Sequence, residues 1–216
     1  MRSSVTHKFV FIHVLMLLIP VCLMGLLITL FVWEESEERI QQEQIATLGS
    51  VKTQVVDRHT RSMESALGVL AENKELHRIF EDPAVRVRTL EDWQLLQQVF
   101  PKRAWTYYGD REGRIIVSPS WDPPPGYDCR TRPWYTSAKE AGEITWVQPY
   151  AEYISYEMVF SASVPIHDDK GEFAGVLGID TFLHDFFSAM RTEALEKNSA
   201  LFVVTRDGET ISLTGR

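Results

Sequence analysis

Nine consecutive residues, Tyr127-Asp128-Cys129-Arg130-Thr131-Arg132-Pro133-Trp134-Tyr135, bring two guanidiniums, an indole N–H and two phenols to what reads as a helix start. Proline is tolerated at the first helical position, where its missing N–H has no intrahelical partner. Pro133 therefore predicts a helix through Trp134, Tyr135, Ala138 and Ala141, stopped by Gly142. Arg132 falls at the mouth of that helix, where free backbone N–H groups and the positive dipole end favour an anion. A planar guanidinium clasps a carboxylate through two parallel hydrogen bonds, and the Tyr127 hydroxyl and Trp134 N–H are further donors. Two readings of the stretch stand side by side. One is a carboxylate pocket; the other is a core in which Trp and Tyr pack while the arginines satisfy loop carbonyls.

Groups of opposite polarity lie further along. In an extended segment Trp146, Gln148, Tyr150 and Glu152 point to one side and Val147, Pro149 and Ala151 to the other, so Tyr150 and Glu152 act together. In the strand Phe173–Asp180, Ala174, Val176, Gly178 and Asp180 share a face, and Gly178 leaves room beside the acid. A carboxylate ending an apolar strand is costly unless it meets a cation or several donors. Asp180 also precedes a helical pattern, so capping and ligand binding both remain open for it. Arg132 with Trp134 and Tyr127 at one end, and Glu152 and Asp180 with tyrosines at the other, suit a zwitterion.

The elements that must position these groups follow from periodicity. Phe9–Trp33 is an apolar run whose only ionisable member is His13, long enough to cross a bilayer core. It is too long for a signal peptide and reads as an uncleaved anchor. Arg2 and Lys8 precede it and Glu34, Glu35, Glu37 and Glu38 follow, which puts the head in the cytoplasm and the rest outside. From Glu34 to about Phe80 apolar residues recur at Ile45, Leu48, Val51, Val55, Met63, Leu67 and Leu70, a helical stripe. That stripe suits either a dimer seam or a stalk against which a globular unit packs. Glu81-Asp82-Pro83 breaks the pattern, and Leu90–Phe100 reads as a shorter helix. Beyond it Ala104–Tyr108, Arg114–Ser118, Thr145–Tyr150, Met158–Ile166 and Glu172–Asp180 read as strands, giving an α+β unit with one antiparallel sheet. Leu201–Thr205 and Thr210–Ile211 begin another hairpin.

Composition removes several classes of function. The chain carries a net charge of −8, and because Arg2 and Lys8 lie in the head, the exported part is more acidic still, which argues against nucleic acid. Cys22 lies in the membrane run, so Cys129 has no partner for a disulfide and reads as a loop cysteine without special role. His7, His13, His59, His77, His167 and His184 fall at no metal-ligand spacing, and there is no G-x-S-x-G elbow. Asp168 and Asp169 sit in a turn and read as solvated. Neither an enzyme nor a bound cofactor is expected.

The order Tyr127, Arg132, Pro133, Trp134, Tyr135, then Tyr150, then a glycine-rich strand closing on Asp180, resembles the membrane-distal module of double Cache sensor domains. Those are the extracytoplasmic ligand-binding parts of bacterial chemoreceptors, sensor kinases and diguanylate cyclases. The resemblance implies a cytoplasmic head (1–8), a transmembrane helix (9–33), a long stalk helix (34–80), a PAS-like module (81–185), a connecting helix (186–198) and the start of a second module (199–216). A complete receptor of this type would go on to finish that module and recross the membrane. The spacing is similar to the subfamily that binds α-amino acids. By that resemblance Tyr127, Arg132 and Trp134 hold the ligand carboxylate, and Tyr135, Tyr150 and Asp180 surround its ammonium group. Glu152 stands where the subfamily has an aspartate, and its extra methylene would shrink the pocket or reposition the amine. The expected partners are a small-molecule ligand (an amino acid, or another amine or carboxylate), the membrane, and a second copy joined through the stalk. A ligand-free dimerising anchor is the remaining alternative.

Overall fold

The computed structural model describes residues 2–99, 103–196, 200–204, 208 and 210–214. The chain divides into two units, Met1–Gly49 and Ser50–Arg216. The first unit is helical throughout its described residues, within α1 (Arg2–Val51). Met16, Leu23, Phe31 and Trp33 are 57–74% exposed, so α1 carries an apolar surface that suits lipid, and it is long and apolar enough to cross a membrane. Ile45 and Leu48, at the start of the expected stripe, are also exposed.

The second unit is built on a five-stranded antiparallel sheet in the order β2-β1-β5-β4-β3. The strands are β1 (Arg103–Asp110), β2 (Ile115–Ser118), β3 (Thr145–Ala151), β4 (Met158–His167) and β5 (Phe173–Phe182). β5 is central, and its residues from Ala174 to Thr181 are all buried. A near-continuous apolar run suits a strand covered on both faces. One face packs on α2 (Arg58–Ala71) and α3 (Pro83–Val99) through Met63, Leu67, Leu76, Ile79, Trp93, Leu177 and Ile179. The other packs on α4 (Pro133–Ala141) through Tyr107, Val117, Cys129, Trp134, Tyr135 and Val176. After β5 come α5 (Leu183–Glu196) and the hairpin β6 (Leu201–Val204) and β7 (Thr210–Thr214). The pair matches the expected start of a second module, while Thr205, and residues 197–199 around the end of the expected connecting helix, lie outside the described residues.

Three expectations are corrected and one open alternative is closed. The stalk helix does not run to residue 80: a π-helical turn, Lys52–Asp57, precedes α2, which ends at Ala71. Pro83 does not end a helix but begins α3, because the Asp82 carboxylate accepts the backbone N–H groups of Ala84 (2.9 Å) and Val85 (3.4 Å) and proline needs no partner at that position; the last residue of the helix expected there, Phe100, lies outside the described residues. Strict alternation fails in β3, where the register with β4 shifts between Val147 and Tyr150. Trp146 faces α2, with its indole N–H on Glu64 (2.9 Å), yet Tyr150 packs on the α4 side with Val147. Asp180 is not a helix cap, since β5 continues to Phe182 before α5 begins.

Candidate functional site

The helix expected after Arg132 forms as Pro133–Ala141, and Gly142 closes it with φ +72°, the left-handed conformation that favours glycine. Just before it, Asp128 accepts from the Arg130 backbone N–H (2.9 Å) and pairs with the Arg130 guanidinium (2.7 Å). The two arginines are thereby separated in role. Arg130 is occupied by its own turn, and Arg132 is presented to a cleft between α4 and the sheet.

That cleft is lined by Tyr127, Arg132, Trp134, Tyr150, Glu152 and Asp180, six of the seven expected residues. Tyr135 is not among them. Its ring lies in the core beneath α4, 2% exposed, with its hydroxyl donating to the Asp110 carbonyl (3.0 Å), because consecutive residues at the start of α4 point in different directions. For Tyr135 the packing reading therefore holds. Cys129 is likewise a core residue, fully buried against Gly109, and burial pushes its thiol up to about 12.

Asp180 forms the floor. Its Oδ1 accepts hydrogen bonds from the Tyr107 hydroxyl (2.5 Å) and the Ser161 hydroxyl (2.6 Å), and Ser161 Oγ is 2.8 Å from the Tyr150 hydroxyl. With Ser161 donating to the acid, Tyr150 donates to Ser161. Gly178 makes this possible: a Cβ there would lie 2.3 Å from the Tyr107 ring, so only glycine lets Tyr107 cross over β5 to reach the carboxylate. Among the described residues no cation pairs with Asp180 and no hydrogen bond reaches its Oδ2. Burial, against the opposing pull of the two hydroxyls and with smaller contributions from Glu152, which raises it, and Arg132, which lowers it, brings its acid up to about 7.

Arg132 forms the opposite wall. Its Nη2 donates to the Ala151 carbonyl (3.2 Å), and its guanidinium carbon lies 5.8 Å from the Tyr150 ring centre and 5.6 Å from that of Tyr153. Among the described residues it has no carboxylate partner, so one donor fixes its direction and the rest of the fork is free for an anion. Glu152 lines the cleft but curls back on its own loop, accepting from the backbone N–H groups of Ile154 and Ser155 and the Ser155 hydroxyl. Its longer side chain holds the 152–157 loop rather than reaching Asp180.

Several lining residues carry no recognisable motif: Trp105, Tyr107, Trp121 and Tyr153. Tyr107 and Ser161 had one available signal, since both lie on the Asp180 side of strands flanking β5, but the register was needed to read it. Trp121, Tyr127 and Tyr153 stack edge to face across the mouth at 5.1–6.0 Å.

An antiparallel sheet covered by helices on both faces, with a two-signed cleft between α4 and the sheet, fits a small-molecule sensor domain of the Cache type, in line with the resemblance carried by the Tyr127–Tyr135 stretch. The description of a methyl-accepting chemotaxis protein-like first PDC sensor domain matches residues 72–187, and the chain belongs to that family, whose role is sensing and not catalysis. It is 32% identical over 105 residues to the methyl-accepting chemotaxis protein PctB of Pseudomonas aeruginosa, covering 49% of this chain and 16% of that one. Against McpA of Pseudomonas putida the figures are 30% over 107 residues, 50% and 17%. The chain thus spans about a sixth of the length of these curated relatives. Among solved structures, the PctB ligand-binding domain in complex with L-Arg matches with a TM-score of 0.55 at 27% identity, covering 74% of this chain and 62% of that one. The sensory domain of Campylobacter jejuni Tlp3 with isoleucine bound matches with a TM-score of 0.68 at 17% identity, covering 82% and 72%, and shows likeness of fold alone.

Proposed function

We propose that this chain senses an α-amino acid as the ligand-binding part of a membrane-anchored chemoreceptor. The observation that carries the reading is Asp180: a buried carboxylate with two hydroxyls on one oxygen, the other oxygen unbonded, and no ion-pair partner among the described residues, Arg132 acting on it only from a distance. An ammonium group placed there supplies the missing charge, and a carboxylate attached to the same carbon lies towards Arg132 and the donors Tyr127 and Trp134. Tyr150 bridges the two ends through Ser161. The matched PctB structure, solved with L-Arg, supports this class of ligand.

The head before Phe9 lies in the cytoplasm and the sensor unit outside, by the charge asymmetry around α1. The exposed Ile45 and Leu48 form part of a seam between two copies. Ligand acts on α2 through the residue next to Asp180. Thr181 points to the other face of the sheet, where its hydroxyl lies 3.0 Å from His59 Nε2 and 3.9 Å from Met63 Sδ. A small displacement of β5 is thereby passed to the helix that leads back towards the membrane.

Calorimetry on the full chain in lipid nanodiscs, with the twenty amino acids, tests the reading. Binding of at least one should be lost about a hundredfold in Arg132→Ala, as expected for a charge-assisted contact, and in Asp180→Ala. Equal affinity in either variant and the wild type removes the proposal.

A further inference from the structure

One residue of the cleft lining, Trp105, carries a polar atom for which the zwitterion has no use. Trp105 Nε1 is buried and, among the described residues, has no hydrogen-bond partner. An indole N–H is a donor only, and leaving one buried and unpaired is costly. Such an atom in the wall of a binding cleft signals an acceptor that arrives with the ligand.

The sheet shows which part of the ligand brings it. β1 pairs with β5 at Thr106 with Ile179 and Tyr107 with Gly178, and the register slips between Arg103 and Thr106. Trp105 sits at that bulge, beside the end of β5 that carries Asp180. On the other side of Asp180 lie Ser161 on β4 and then Tyr150 on β3, the strand to which Arg132 is tied. The order of strands therefore sets Asp180 between two flanks. The Arg132 flank takes the carboxylate, and the flank made by Trp105, Ile115, Val117 and Trp121 is left for the side chain. Among the described residues that flank holds no charged side chain; the charged residues of the lining are Arg132, Glu152 and Asp180. A charged side chain would be buried there without a counter-ion, which is costly.

We infer that Trp105 is the specificity-determining residue of the cleft, and that the ligand class is neutral amino acids whose side chain carries a hydrogen-bond acceptor. This rests on the amino-acid reading above and adds the part of the ligand that reading leaves open. A site built to hydrogen-bond a polar group rejects the analogue lacking it, because its own buried donor is then left unpaired.

The test compares near-isosteric pairs, L-threonine with L-valine and L-glutamine with L-methionine, by calorimetry on the full chain in nanodiscs. In the wild type at least one acceptor-bearing member should bind about tenfold tighter than its partner. Trp105→Phe keeps an aromatic ring and removes the N–H; it should weaken that ligand and bring the pair to within about threefold, leaving the partner without the oxygen unchanged. No preference in either wild-type pair overturns the inference and needs no variant to be folded. A preference that survives in Trp105→Phe, with its melting transition intact, overturns it too. In both cases the amino-acid reading stands, whereas a wild type that binds none of the twenty amino acids overturns both.

Discussion

The two faces of the sheet are made of different matter. Towards α2 and α3, Leu67, Leu76, Trp93, Leu177 and Ile179 are at most 1% exposed and fill the space with hydrocarbon. Towards α4 the same strands present Tyr107, Ser161, Ser163 and Asp180, all buried, together with an unpaired indole N–H. One face lowers the free energy of the fold; the other raises it at Asp180 and Trp105, and only a bound ligand recovers the difference. Stability and recognition are divided across a sheet one strand thick, and alternate residues of β5 serve each side: Leu177 and Ile179 the first, Gly178 and Asp180 the second.

The largest effect expected from this division comes from the hydrocarbon face. Leu177→Ala should destabilise the unit by about 2–5 kcal/mol, the range for opening a cavity in a packed core. Amino-acid affinity per folded molecule should stay within about twofold, since Leu177 points away from the cleft. A loss of affinity larger than the loss of folded protein would break the comparison.

Asp180→Asn should do the reverse. The acid's folded value near 7 lies above its ordinary 3.8, so its contribution to ligand-free stability is full below pH 3.8 and lost as pH rises through about 7. Removing the charge should therefore stabilise the ligand-free protein at pH 8 by up to about 4 kcal/mol while abolishing binding. The stability difference between variant and wild type should shrink as pH falls from 7 to 4. Over the same window wild-type affinity should fall, because protonated Asp180 no longer pairs with an ammonium group. That places the loss near neutrality, well above the pH 4 to 5 that ordinary carboxylates would give. A difference that does not change with pH would show that Asp180 is ionised in the free cleft.

How far the chain could be read without coordinates follows the same line. The hydrocarbon face was legible, because apolar alternation and turn residues place all five strands within a few residues of their ends. Arg132 and Asp180 were legible as charges whose neighbours left them unexplained. What could not be read depends on register. The shift in β3 that turns Tyr150 to the α4 side is fixed by pairing with β4, and its mark on Trp146–Tyr150 is Pro149, which cannot donate to the ladder but does not say which way Tyr150 turns. Tyr107 looks like any strand aromatic until its ring is set over Gly178. Tyr135 carries the same letters in a motif whether its ring enters the cleft or the core. Pro83 both ends and begins helices, and the Asp82 cap decides between them.

The smallest effect sharpens the comparison most, because it alters the cleft face without touching charge. Ser161 gives Asp180 one of its two hydrogen bonds and takes one from Tyr150. Both hydroxyl bonds favour the ionised acid, so Ser161→Ala should raise the Asp180 value above about 7 and leave the Tyr150 hydroxyl without its partner. At pH 7 amino-acid affinity should drop about fivefold, the worth of one such bond. At pH 9, where the carboxylate is ionised in both proteins, most of that loss should disappear. Calorimetry at the two pH values separates this from packing damage, since a disturbed cleft would lose the same factor at both. The serine's part in holding a charge ready for the ligand is then measured directly, as the portion of the loss that pH restores.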